Sequence, residues 1–369
     1  MTGKIHHGSN KLRRVPSPTM KSATILPLTL LSLPTSAQLN ENERITEYRK
    51  RNYQWPPLFT EYIPQTPGWR SLYERRFQQV AYIDDESAKY NGYMSTVHSA
   101  LKSSNFTEYG WALTKGPTDL VELLLARLIM GINSPHTPEE DYDRVSGDPD
   151  SEYPDKKPLM VSIGGMHQQV IEELQPIHEA WSKTKLIANN AYGLRVYRNQ
   201  SNLQMHVDQS STHIISSILH VGHDPDGEPW PLVIEDLHGN THEVFLESGD
   251  MILYESSKCF HGRPKRYNGK WYSSIFTHYY PEDWDAEKVD IETHYRVPPG
   301  WHLTPDEDAD GLDKLVVTET SFKEPGCEHE WCALKNSKIW KRPTELREGQ
   351  TISSDGIIKL LYEENGDEL

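Results

Sequence analysis

The chain is poor in cysteine, poor in positive charge and without a long apolar run. Its 369 residues hold three cysteines, too few for a disulfide scaffold. Basic residues number 38 against 54 acidic ones, for a net charge of −16. Phosphate contacts need clustered lysine and arginine, so this balance argues against nucleic acid as a partner. A bilayer-spanning helix needs about 20 apolar residues. The best candidate, Ile25 to Leu33, is short and interrupted by Pro27, so no stable membrane span is expected. No internal repeat is visible, and no Gly-x-Ser-x-Gly elbow supports Ser-His-Asp hydrolysis. What remains is a chain with 36% hydrophobic residues, long enough to bury a substantial core.

The two ends read as addresses. Basic residues at Lys11 to Arg14, the apolar run after Met20, and small residues up to Ala37 make residues 1–37 a signal peptide, with Met20 a second possible start. The last four residues, Gly366-Asp367-Glu368-Leu369, resemble the endoplasmic-reticulum retrieval tetrapeptide, with a departure at its first position. Together they predict a soluble resident of the ER lumen that meets a retrieval receptor, with secretion as the alternative. Sequons at Asn105-Phe106-Thr107 and Asn199-Gln200-Ser201 fit that compartment. So does a disulfide between Cys327 and Cys332, ranked ahead of a zinc site that would use His329.

Between the ends the texture changes twice. Residues 38–189 read as a helix-rich N-terminal region. Asp119 to Ile129 and Gln168 to Leu186 carry apolar residues at helical spacing. An acidic Pro/Ser/Gly-rich loop, Pro135 to Pro158, lies between them. Residues 190–281 hold short alternating runs at 192–198, 203–208, 213–222, 231–236, 242–247, 250–255, 258–262 and 270–280, separated by turn residues such as Asp226-Gly227, Gly239-Asn240 and Asn268-Gly269. Many short strands at this spacing indicate a sandwich or barrel on the scale of one jelly roll. Residues 282–369 read as a C-terminal extension. The fold class expected is α+β: a double-stranded β-helix core with a helical region before it and an extension after it.

The chemistry gathers in the strand region. His206-Val207-Asp208 places an imidazole and a carboxylate on one face of a strand, because residues i and i+2 point the same way. His261 supplies a third ligand. Two histidines and one carboxylate form the facial triad of non-haem Fe(II) oxygenases, which leaves three coordination positions open. His220/His223 and His238/His242 have metal-like spacings but no third ligand in register. Lys265 and Arg266 read as solvated turn charges.

Lys270-Trp271 follows nine residues after His261, and Tyr197 precedes His206 by nine. Taken with the triad, this order resembles the 2-oxoglutarate/Fe(II)-dependent dioxygenase superfamily, most closely its prolyl 4-hydroxylase-like branch. The resemblance covers about residues 190–281, and Gly227 to Leu232 replaces the glycine-rich strand usual in the branch. It implies that His206, Asp208 and His261 bind Fe(II). It further implies that Lys270 pairs with the distal carboxylate of 2-oxoglutarate, that Tyr197 hydrogen-bonds it, and that ascorbate serves as helper reductant. Arg263, two residues past His261, is an alternative cation for the co-substrate or a substrate contact. The expected activity is hydroxylation of a C–H bond in a secretory-pathway polypeptide, proline being one candidate residue, or in a small molecule. Two other readings use the same ligands: a cupin-like lyase or isomerase, and a non-catalytic ER binding module.

Overall fold

The structure is a computed structural model, and it describes residues 41–54, 66–102, 104–140, 157–304, 317–318, 321–322, 324, 327–341, 350–352 and 358–360. The leader 1–37, most of the acidic loop and the Gly366 to Leu369 tail lie outside the described residues. The elements in order are α1 (Glu41–Lys50), α2 (Pro67–Ala81), α3 (Glu86–Val97), β1 (Trp111–Lys115), α4 (Thr118–Ile132), β2 (Leu159–Met160) and α5 (His167–Ser182). The strand-rich part follows as β3 (Leu186–Arg198), β4 (Leu203–His206), β5 (Ile215–His223), β6 (Leu232–Glu235), β7 (Thr241–Phe245), β8 (Asp250–Tyr254), β9 (His261–Arg263) and β10 (Trp271–Pro281). Then come α6 (Ala286–Arg296), β11 (Val317–Thr318), β12 (Ser321–Phe322), β13 (Lys338–Lys341), β14 (Gln350–Ile352) and β15 (Ile358–Leu360). The class is α+β.

The strands form two sheets. One has the order β14-β15-β1-β8-β5-β10-β3-β2, the other β11-β12-β4-β9-β6-β7-β13. All eight runs predicted between 190 and 281 contain strands, β3, β5, β8 and β10 in the first sheet and β4, β6, β7 and β9 in the second. Pairing is antiparallel within this set, from β10 against β3 and β5 to β4 against β9. β13 lies parallel to β7.

Side-chain alternation explains the layers. On β10, Tyr272 and Phe276 join a core shared by both sheets, with Leu203 from β4, Ile218 from β5 and Leu232 from β6. Trp271, Ile275 and Tyr279 point the other way, into a second core under α4 and α5. Those helices bury one stripe each, Leu120, Leu124 and Leu128 on α4 and Val170, Ile171 and Leu174 on α5. Full burial of each such leucine contributes about 1.5–3 kcal/mol. α2 and α3 cover the other sheet, through a third core containing Val80, Tyr93, Met205, Val233, Phe260 and Trp331.

Four expectations are corrected. The helix expected to reach Leu186 ends at Ser182, because Lys183 adopts a left-handed conformation (φ 59°) that caps it, and β3 begins at Leu186. Residues 258–260 are not strand; Lys258 and Cys259 both donate their backbone N–H to the Glu255 carbonyl in a tight turn, and β9 starts at His261. The N-terminal region is not purely helical, since β1 pairs with β8 from Trp111↔Tyr254 to Lys115↔Asp250. Glu140, expected in a solvated loop, is buried.

The Cys327–Cys332 disulfide is present, with Cα atoms 4.9 Å apart, and Cys259 is buried and free. His329 is exposed and pairs with Glu328. The disulfide loop carries Trp331, which is fully buried against the Arg76 guanidinium, 4.2 Å from its ring centre.

Candidate active site

β4 and β9 are neighbours in register, so His206 lies directly across from His261. Gly262 makes that approach feasible. A Cβ there would stand 2.7 Å from the Gln204 carbonyl oxygen, inside contact distance. Asp208 follows β4 by two residues, and its backbone N–H donates to the Ser256 carbonyl (2.9 Å).

The three side chains converge. Asp208 Oδ1 is 3.4 Å from His206 Nε2 and 3.6 Å from His261 Nε2. One ligand atom from each lies within 4.8 Å of the others. Metal bonds of about 2.1 Å put neighbouring ligands about 3 Å apart, so these spacings match three adjacent positions around one ion. The donor chemistry fits too. His206 Nδ1 is 2.8 Å from the Gln204 carbonyl and His261 Nδ1 is 2.9 Å from the Cys259 carbonyl. A carbonyl only accepts, so both Nδ1 atoms carry the proton and both Nε2 lone pairs face Asp208. The other Asp208 oxygen accepts from the Tyr254 hydroxyl (3.4 Å) and faces His278 Nδ1 at 3.8 Å. Burial raises the Asp208 pKa, but the imidazoles of His261 and His206 outweigh it and hold the carboxyl well below its usual range. It is therefore ionised at neutral pH.

A cation lies two residues along β9. Arg263 is 2% exposed; it donates to the Trp230 carbonyl (2.6 Å) and the Tyr272 hydroxyl (3.1 Å). Its guanidinium stands 4.7 Å from the Trp230 ring centre and 4.4 Å from that of Tyr272. No described carboxylate forms an ion pair with it. Tyr197 is buried beside it, edge-on to Trp230 at 5.0 Å, and its hydroxyl accepts from Arg195 at 3.3 Å. Arg195 is neutralised by Glu140, with a 2.6 Å bond from Nε.

Lys270 is elsewhere. It precedes β10 in the hairpin after β9, its side chain is 77% exposed, and its ammonium is 4.0 Å from Asp226. Its backbone N–H is held by Asp224 Oδ2 at 2.8 Å. The position has the inward parity of Tyr272 but lies before the strand begins, so its side chain runs to solvent. The structure thus brings His206, Asp208, His261, Arg263 and Tyr197 together inside the two sheets and leaves Lys270 out.

The other histidine pairs have internal partners. His220 Nε2 and His223 Nδ1 are 2.8 Å apart, stacked on Tyr272. His242 bonds Asp236 and Trp340, each at 2.8 Å. His238 stacks on Tyr109. Lys265 pairs with Glu243, and Arg266 donates to the Gln200 carbonyl. Asn199 sits exposed in the β3–β4 turn, and Asn105 accepts from Lys258 at 2.6 Å.

Sequence reasoning missed the mouth of the site. A cavity of about 420 Å³ opens onto Asp208. Asn91, Ser95 and His98 line it from α3 and the turn after it, and Asp290 and Thr293 from α6. Spacings of three and four residues put each set on one helix face, a signal readable in the sequence only once the partner surface is known. His278 was also missed, although strand parity places it on the face of Phe276.

No protein-family model and no curated protein matches the chain. Several solved structures resemble it. AviO1 from Streptomyces viridochromogenes Tue57 is 16% identical, with 49% of this chain and 94% of that chain covered and a TM-score of 0.37. A Pseudomonas putida prolyl-4-hydroxylase is 12% identical, with 52% and 99% covered and a TM-score of 0.35. An oxidoreductase of the 2OG-Fe(II) oxygenase family from Burkholderia pseudomallei is 12% identical, with 53% and 90% covered and a TM-score of 0.33.

Proposed function

We propose that this chain is an Fe(II)- and 2-oxoglutarate-dependent dioxygenase that hydroxylates a C–H bond. The observation that carries the reading is the set His206, Asp208 and His261, with both Nε2 atoms aimed at one carboxylate oxygen. The strand orders 8-5-10-3 and 4-9-6-7 support a double-stranded β-helix. Arg263 extends the argument to the co-substrate. Two residues of strand span about 7 Å, the length of a five-carbon dicarboxylate with one end at the metal. A buried, carboxylate-free guanidinium at that distance favours this reading over a cupin-like lyase or a binding module, neither of which needs it.

When bound, iron and 2-oxoglutarate supply the oxidation: O₂ is consumed, 2-oxoglutarate leaves as succinate and CO₂, and a hydroxyl group enters the substrate. The chain's own residues position these partners. Asp208 and the two imidazoles of His206 and His261 would hold the metal, and the cavity opens onto Asp208. Arg263 and Tyr272 orient the distal carboxylate, and the aromatic walls of Trp230 and Tyr197 exclude water from that end. Ascorbate as helper reductant rests on the family resemblance.

Anaerobic addition of Fe(II) and 2-oxoglutarate should give a visible charge-transfer band that is lost in His206→Ala. A wild-type protein that shows no band, and no succinate on exposure to O₂, would overturn the reading. For location we propose the ER lumen and a secretory-pathway substrate, on the strength of the two terminal sequences. Deleting Gly366 to Leu369 should then cause secretion, and an unchanged distribution would count against retrieval. The cavity does not favour a proline-rich partner, since such segments dock on aromatic grooves and its lining holds no ring but the His98 imidazole.

A further inference from the structure

Granting the metal site of the dioxygenase reading, the turn between β8 and β9 governs how two of its three ligands are held. Residues Glu255 to Phe260 of this turn are each at most 1% exposed. The Ser256 carbonyl accepts the Asp208 backbone N–H at 2.9 Å, and the Cys259 carbonyl holds His261 Nδ1 at 2.9 Å. Tyr254, just before the turn, donates to the second Asp208 oxygen at 3.4 Å. A shift of this turn therefore moves a carboxylate and an imidazole together.

A buried carboxylate and a buried ammonium tie the turn down. Glu255 Oε1 accepts from the backbone N–H of Phe106 (3.0 Å), the backbone N–H of Thr107 (2.9 Å) and the Thr107 hydroxyl (2.8 Å). Lys258 Nζ donates to Asn105 Oδ1 at 2.6 Å. All these partners belong to one segment, 105–107, shortly before β1. Its neighbour Gly110 accepts the Glu255 backbone N–H at 2.8 Å, and β1 pairs along β8. Charged groups are costly to bury. Burial lowers the Lys258 pKa to about 8 and raises that of Glu255. Apolar side chains of similar volume would fill the space without that cost, but they would not supply direction. Three donors converging on one carboxylate oxygen admit a single placement of 105–107 against the turn. Metal ligands need such placement, to within about 0.2 Å of their bonding distance.

We infer that Glu255 and Lys258 are positioning residues for the metal: bonded to Asn105 and Thr107, they fix the 255–259 turn so that Asp208 and His261 meet one ion together with His206. Neither belongs to the ligand set. They act through the Ser256 and Cys259 carbonyls, which are outer partners of the ligands.

The test is titration of the metal-free full chain with Co(II) alone, read by visible absorption, which needs neither 2-oxoglutarate nor turnover. Glu255→Ala should weaken Co(II) binding by about ten- to a hundredfold, the usual cost of losing an outer partner. Glu255→Gln keeps an acceptor oxygen for the three donors and should lose only about threefold. Leu128→Ala, in the core under α4, lowers stability in another part of the fold. It should leave both the Co(II) Kd and the band shape as in wild type. If circular dichroism shows that Glu255→Ala does not fold, Thr107→Val and Asn105→Ala decide. Each removes part of the brace from outside the turn and should weaken Co(II) binding by about three- to tenfold. Wild-type Co(II) affinity in Glu255→Ala, or in both Thr107→Val and Asn105→Ala, would overturn the inference. So would a loss in Leu128→Ala as large as that in Glu255→Ala. A wild-type chain whose Co(II) spectrum is unchanged by His206→Ala sinks the metal site itself. A spectrum that depends on His206 but not on Glu255 sinks this inference alone.

Discussion

On the proposed reading Arg263, not Lys270, meets the co-substrate, and that assignment is measurable. Arg263 is buried two residues from a metal-facing histidine, with a planar fork suited to a carboxylate. Charge-assisted hydrogen bonds of that kind contribute about 1.5–3 kcal/mol. Losing them in Arg263→Gln should cost about 3 kcal/mol in 2-oxoglutarate binding, or about a hundredfold in Kd. Arg263→Lys keeps the charge but not the fork and should fall between, at about tenfold. Lys270 is 77% exposed and 4.0 Å from an equally exposed Asp226, and such surface pairs contribute about 0–1 kcal/mol to stability. Lys270→Ala should leave the Kd within about twofold. The assay is anaerobic titration of the charge-transfer band with 2-oxoglutarate. Arg263 also satisfies the Trp230 carbonyl, and leaving that buried acceptor unpaired costs about 1–3 kcal/mol of stability. Thermal unfolding without co-substrate separates that cost from the binding loss. A tenfold loss in Lys270→Ala with none in Arg263→Gln would refute the assignment.

Two predictions concern the frame. His178 is fully buried on α5, its Nδ1–H donating to the Leu174 carbonyl at 2.7 Å, and burial lowers its pKa from 6.5 to about 4. The unfolded chain therefore takes up the proton first as pH falls. Stability contributed by the neutral ring is intact above about pH 6.5 and is lost down to about pH 4, on the order of 3 kcal/mol in all. Urea midpoints of wild type and His178→Gln should converge over that range, and a difference independent of pH would refute the linkage. Arg76 is fully buried between Glu235 (3.1 Å) and Glu324 (3.1 Å), roofed by Trp331 and Phe260. Arg76→Met should destabilise by about 3–5 kcal/mol in urea unfolding because it strands the buried Glu235, while Glu324 keeps Arg75 and Gln79, and adding Glu235→Gln should recover part of the loss. A single-mutant cost below about 1 kcal/mol would refute this.

The strand-rich half of the chain was legible because two local signals agree there. Side chains alternate in or out, and Gly, Pro and Asn mark the turns. His206 and Asp208 were legible as a pair from their i, i+2 spacing, although β4 ends at His206 and the Ser256 carbonyl, not the strand, holds the Asp208 backbone. β1 was not, because Trp111 to Lys115 is five residues with four buried in a row, and its pairing with β8 decides its conformation. Lys270 was misplaced because parity fixes a face but not where a strand starts. Arg263 lies within β9, where parity does apply.

The selectivity of the site lies with the segments whose purpose was hardest to read. On the proposed reading metal and co-substrate would meet residues between 195 and 278, but the cavity walls come from α3 and α6, outside that stretch. α6 is held in turn by the first helical segment. Arg51 and Tyr53 both bond Glu292, and Arg44 donates to the Val297 carbonyl at 3.4 Å. Loosening that clasp should shift Asp290 and Thr293 while leaving β4 and β9 in register. A substitution such as Tyr53→Phe would then act on substrate recognition and spare 2-oxoglutarate affinity, the reverse of Arg263→Gln. On that reading the two sheets would set the chemistry, and the helices beside the cavity would set which molecule reaches it.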